Sequence, residues 1–131
     1  MKTLVTASGF VITGVILTIL VALLHLAIGG LEMFGKPDKQ AQAFKLSPTF
    51  LTQPEAKIML ANQGIYNCLL GVLLLATYAM LLAHFNLLLV VWRLLLGFIV
   101  IAGAYGGWSV TKKIWLIQML PALVALVLIC L

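Results

Sequence analysis

Seven polar side chains of types that hydrogen-bond or carry protons interrupt otherwise apolar stretches of this chain: His25, Glu32, Asn62, Gln63, Tyr66, Asn67 and Gln118. A polar group surrounded by hydrocarbon and left without a partner is costly, so each must pair with a neighbour or serve a ligand. At 100° per residue, Asn62, Tyr66, Gln63 and Asn67 fall at about 0°, 40°, 100° and 140° around one helix, a continuous polar arc over less than half its circumference. The arc has two readings: hydrogen-bonding glue between packed helices, or the wall of a ligand pocket.

His25 and Glu32 are seven residues apart, which puts them on one helix face but about 10.5 Å apart along the axis. A direct histidine–carboxylate dyad is therefore excluded. His25 is expected either to pair with Asn62, Gln63 or Tyr66 across a helix interface or to serve as a base. Glu32 is expected at the mouth of the site beside loop lysines, where an ion pair contributes little. No His-x-x-x-His or Cys-x-x-Cys spacing is present to hold a metal, and no nucleotide loop or serine elbow occurs. No cofactor is expected.

The elements that position these residues follow from composition. The chain has 131 residues, 64% hydrophobic and only 8% charged, against about a quarter charged in a soluble domain. Four apolar runs, about 4–31, 58–83, 87–108 and 114–131, each approach the roughly 20 residues that cross a hydrocarbon core. The fold class is thus an all-α bundle of four transmembrane helices in a single domain. The first run is too long for a cleavable signal peptide and is expected to be retained. Gly35 and Pro37 stop it. The loop that follows, about 34–57, mixes Lys36, Asp38, Lys39 and Lys45 with Phe44, Leu46, Phe50 and Leu51. It reads as an amphipathic segment on the membrane surface, with a short helix after Ser47-Pro48. Thr52 to Glu55 matches a capping box with Thr52 as the cap, and His84-Phe-Asn86 reads as the next tight turn.

Lysines Lys36, Lys39, Lys45, Lys57, Lys112 and Lys113 lie in the two loops after the first and third runs, while the opposite side has Lys2 and, inside the third run, Arg93. The positive-inside rule then places both termini on the outer side of the plasma (inner) membrane, in a multi-pass protein. That topology gathers His25, Glu32, the arc of the second run and Gln118 in the cytoplasmic half. Arg93 is expected to reach lipid phosphate or the Leu131 carboxylate. Gly97, Ala104 and Gly107 share a face that would let another helix approach closely. Cys68 and Cys130 fall at opposite depths and are not expected to pair. The net charge of +5 is spread in ones and twos, so anionic lipid is the expected partner and nucleic acid is not.

Leu24-His25, Leu31-Glu-Met-Phe34, Ala61-Asn-Gln-Gly-Ile-Tyr-Asn67, Ala102-Gly-Ala-Tyr-Gly106 and Gln118-Met-Leu-Pro-Ala122 together resemble domain of unknown function family 1304. This is a group of small four-span proteins, mostly bacterial, without an established activity. The resemblance covers nearly the whole chain, and the Asn-Gln-Gly-x-Tyr-Asn stretch is its most specific part. One departure is Ala27 to Gly30, smaller than the aromatic-containing stretch of the family, which implies a wider pocket here. The family implies fold and membrane location and carries no catalytic residues.

Four functions remain open at this stage. The leading one is recognition of a small polar or lipid-like molecule by His25, Asn62, Gln63, Tyr66, Asn67 and Gln118, with Glu32 at the entrance. The others are a membrane enzyme moving a proton on a lipid or isoprenoid, a transporter formed by a homo-oligomer, and a structural partner subunit. Small four-span exporters place an essential acid deep in the first span, unlike Glu32.

Overall fold

The computed structural model describes residues 7–131, so Lys2 and the expected start of the first run lie outside the described residues. Every described element is helical. Helix α1 (Gly9–Phe34) begins where the Ser8 hydroxyl accepts the Val11 amide at 3.3 Å, satisfying one of the donors that a helix start leaves free. It ends at Gly35, in extended conformation. A β-carbon there would run into the Leu31 carbonyl, which accepts the Gly35 amide at 2.9 Å.

Two short helices follow, α2 (Pro37–Phe44) and α3 (Pro48–Leu51), each opened by a proline whose missing N–H costs nothing at that position. The Ser47 hydroxyl caps α3 by accepting the Phe50 amide at 3.2 Å, so the helix expected after Ser47-Pro48 is formed. The capping box is not. Gln53 precedes α4 (Pro54–Leu81) without a side-chain cap, because Thr52 already closes α3, its hydroxyl donating back to the Thr49 carbonyl at 2.8 Å.

A 3-10 turn at Leu82–His84 leads into α5 (Phe85–Ser109). The turn expected at His84–Asn86 therefore lies two residues earlier, because Phe85 is drawn into the core and starts the helix. The chain reverses here: the Trp92 indole of α5 donates to the Leu74 carbonyl at 3.2 Å and the Thr77 hydroxyl at 3.0 Å in α4. Tyr78 stacks on Trp92 at 5.7 Å between ring centroids. After the turn at Thr111 and Lys112, a π-helical turn (Trp115–Met119) precedes α6 (Leu120–Cys130). Its mark is the Leu120 amide donating five residues back, to Trp115. Pro121 explains it: the ring has no N–H and crowds the carbonyl four residues earlier, and the wider turn relieves that conflict.

Helix α1 packs against α4 and α6, and α5 packs against α6 and the π turn. The core gathers Val11, Val15, Leu74, Leu88, Trp92, Leu96 and Ile129. Helices α1 and α4 approach backbone to backbone, since a β-carbon on Gly29 would collide with the Gly64 carbonyl and Cys68, and one on Gly71 with the Ala22 carbonyl. On α5 the close approaches are at Gly103, against Met119, and Gly107, against the Trp115 indole. Gly97 faces open space and Ala104 is exposed, so the stripe expected through those two residues is shifted around the helix.

Arg93 donates through Nη2 to the Ile129 carbonyl at 2.8 Å. Its partner is thus a main-chain oxygen, not a carboxylate, because the last turn of a helix leaves carbonyls without intrahelical donors. Two helical stretches, Gly9–Phe34 and Pro54–Ser109, are long and apolar enough to cross a membrane, and the apolar helix Trp115–Cys130 is shorter. The second stretch is the one folded back at Leu82–His84.

Candidate functional site

Below the contact between Trp92 and Leu74, α4 and α5 diverge, and a cavity of about 1150 Å³ opens between them. Its walls come from α1, α4, α5 and the π turn, and the α2–α3 segment contributes Phe44, Leu46 and Phe50. His25, Glu32, Gln63, Tyr66, Asn67 and Gln118 all line it. Asn62 does not: it is exposed on α4 and outside the cavity wall. The polar arc is therefore split, with Asn67 buried, Gln63 and Tyr66 open to the cavity, and Asn62 turned away.

His25 is 2% exposed, and its Nδ1 lies 2.9 Å from the Val21 carbonyl one turn earlier in α1. A carbonyl only accepts, so Nδ1 carries the proton and Nε2 presents a lone pair. The expected pairing with Asn62, Gln63 or Tyr66 is not made. Register is the reason: Gly29 meets Gly64 and Cys68 while Ala22 meets Gly71, which places His25 level with the stretch between Cys68 and Gly71, beyond the three polar residues.

Glu32 departs further from expectation. It is 8% exposed, and its Oε2 accepts a hydrogen bond from Asn67 Nδ2 at 2.7 Å. It is a buried member of the cavity wall and not a surface partner of the loop lysines, because the glycine contacts bring α1 and α4 together at that level. The β-carbon of a residue at Gly64 would meet the Glu32 side chain. Gln118 sits within the π turn and is half-buried on the cavity wall. Turns of this kind recur at functional sites.

One residue that the sequence reading passed over is Gln40 in α2. It is buried, and its Nε2 donates to both the Leu31 and Glu32 carbonyls at 3.0 Å, capping the free end of α1 and fixing α2 over it. The spacing Gln40, Ala43, Phe44 on one helical face carried that signal, since it sets a lone amide on the apolar side of an otherwise polar helix.

A family model described as protein of unknown function (DUF1304) matches residues 19–130. The chain belongs to this family. A relative in sequence is the uncharacterized protein YpaA of Lactococcus lactis subsp. lactis (strain IL1403), 36% identical over 114 residues, which are 86% of this chain and 92% of YpaA. No solved structure matches. The matched region of this DUF1304 chain contains the six polar residues His25, Glu32, Gln63, Tyr66, Asn67 and Gln118 of the cavity wall and the π turn. The start of α1 lies before it.

Proposed function

We propose that this DUF1304 protein crosses the plasma membrane four times with both termini outside, and holds a small polar or lipid-like molecule in the cavity between α4 and α5. One observation carries the binding reading: side chains from α1, α4 and the π turn, 93 residues apart in sequence from His25 to Gln118, converge on a single cavity. Helix glue would bond these groups to one another. Only Glu32 and Asn67 do so. The membrane reading is supported by large apolar side chains on the outer surface, among them Leu94, Ile101 and Trp108 at 72, 73 and 84% exposed. Hydrocarbon accommodates such a surface and water does not.

Native mass spectrometry of gently purified protein, beside a Gln63→Leu, Gln118→Leu variant, tests the binding reading. A discrete bound mass in the wild type that the variant loses is the expected result. A folded variant that keeps the same mass, or a wild type that carries none and acquires none from its own lipid extract, overturns it.

A second reading, proton transfer on a bound lipid or isoprenoid, is favoured by the His25 geometry. Its tautomer is set by the Val21 carbonyl, and the free Nε2 lone pair belongs to a ring on the cavity wall. Turnover abolished by His25→Gln would place catalysis here.

A further inference from the structure

The cavity wall carries a charge-bearing group, Glu32, that has no counter-charge among the described residues. Glu32 accepts one hydrogen bond, from Asn67, and among the described residues no cation forms an ion pair with its carboxylate. The other titratable groups on the cavity walls are His25 from α1, Tyr66 from α4, Tyr105 from α5 and Lys113 at the approach to the π turn. None of them supplies the missing charge at Glu32. Lys113 is exposed, where water solvates its ammonium, and His25 has committed Nδ1 to Val21 about two turns up the same helix. A buried carboxylate without an opposite charge is costly, and the cost falls when a cation or a proton arrives from outside.

Leu69, Leu70, Leu73 and Ile99 line the end of the cavity toward the Trp92 contact, with His25 at their level, while Glu32, Gln63 and Asn67 lie toward the other end, where Phe44, Leu46, Phe50, Met59 and Leu60 also line the wall. A volume of about 1150 Å³ lies just above the roughly 300–1,000 Å³ typical of pockets for drug-sized ligands. It has room for an alkyl chain as well as a head group. The aromatic rings of Tyr66 and Tyr105 flank the cavity, and aromatic faces attract quaternary ammonium groups.

We infer that the occupant of this cavity is an amphiphile bearing a positive charge, whose head pairs with Glu32 and whose tail lies along the apolar walls of α4 and α5. The inference rests on the binding reading above and adds the charge of the ligand to it. Glu32 is the counter-ion, Asn67 holds its carboxylate in place, and a proton competes with the ligand for the same oxygen atoms.

The test uses the full chain in mild detergent and equilibrium dialysis against two probes of equal chain length, dodecyltrimethylammonium and dodecanol, with empty micelles as background. Wild-type protein should bind the cation at least about tenfold more tightly than the alcohol, with affinity falling as the pH is lowered and the carboxylate takes up a proton. Glu32→Gln keeps the shape and the acceptor for Asn67 but removes the charge, so it should lose the preference and flatten the pH profile. The wild-type comparison and its pH profile stand without that variant should it fail to fold. Equal binding of both probes, independent of pH, overturns the counter-ion assignment and leaves the cavity as a binding site. Binding of neither probe above background overturns both.

Discussion

At the scale of single residues, the buried pair of Glu32 and Asn67 is where energetics and function meet. Removing the amide leaves a buried acceptor without its donor, a loss of about 1–3 kcal/mol. Asn67→Leu is accordingly expected to lower the stability of the detergent-solubilised protein by that amount in thermal or denaturant unfolding. Gln63→Leu, on the same helix but exposed and without a hydrogen bond to any described residue, should stay within about 0.5 kcal/mol of wild type. Equal losses for both would mean that the Glu32 contact is not what Asn67 contributes. The types of these residues were legible in the sequence because polar atoms stand out against an apolar background. Their partners were not. Seven-residue spacing correctly kept His25 and Glu32 apart, but it carries no information on which residue of α4 stands opposite each, and that register decided that Glu32 is buried and that His25 bonds within its own helix.

At the scale of elements, the glycines decide how closely helices pack. A β-carbon at Gly64 would strike Met33, the Gly29 carbonyl and Glu32, while one at Gly97 would meet nothing within 4 Å. Gly64→Ala should therefore destabilise the protein by about 1–3 kcal/mol through overpacking. Gly97→Ala should be neutral or stabilise by up to about 1 kcal/mol, since alanine lowers the entropy lost on forming a helix. Unfolding midpoints of the two variants, measured side by side, check the pair. A Gly97→Ala variant less stable than Gly64→Ala would contradict the packing of α1 on α4. Helix existence and approximate ends were readable from hydropathy and from Gly35, Pro37 and Pro54. The π turn was not, although its cause, Pro121, stands in plain view. Proline predicts a disturbed hydrogen-bond ladder, but whether the helix kinks, ends or widens depends on what packs beside it, here α5 through Gly103 and Gly107.

At the scale of the whole molecule, packing differs between two ends. Around Trp92 the helices are tightly packed, with Thr18, Thr77 and Arg93 bonded to main-chain carbonyls, whereas beyond it α4 and α5 part and His25, Glu32, Gln63, Tyr66, Asn67 and Gln118 line the gap. The proposed topology sets the gap toward the cytoplasm, because the lysine-rich loops lie at that end. With the native cysteines replaced by serine, Lys112→Cys in intact cells should resist a membrane-impermeant maleimide until the membrane is permeabilised. Asn86→Cys should react at once. The reverse pattern would invert the topology, and reaction of both in intact cells would rule out four spans.

What the sequence determined by itself is the class of structure: an all-helical chain with runs long and apolar enough to cross a membrane, and a short list of polar residues that must be either paired or used. Hydropathy and helical period are local properties, set by each residue and its near neighbours, and they survive without knowledge of the fold. Only the tertiary structure decided which of those residues share a cavity, that Asn62 turns away from it, that Gln40 ties α2 to the end of α1, and that Glu32 is buried without a counter-charge among the described residues. Each of these depends on the register and separation of helices distant in sequence. That register is set by the contacts of Gly29, Gly64 and Gly71, where the absence of a side chain lets two backbones meet.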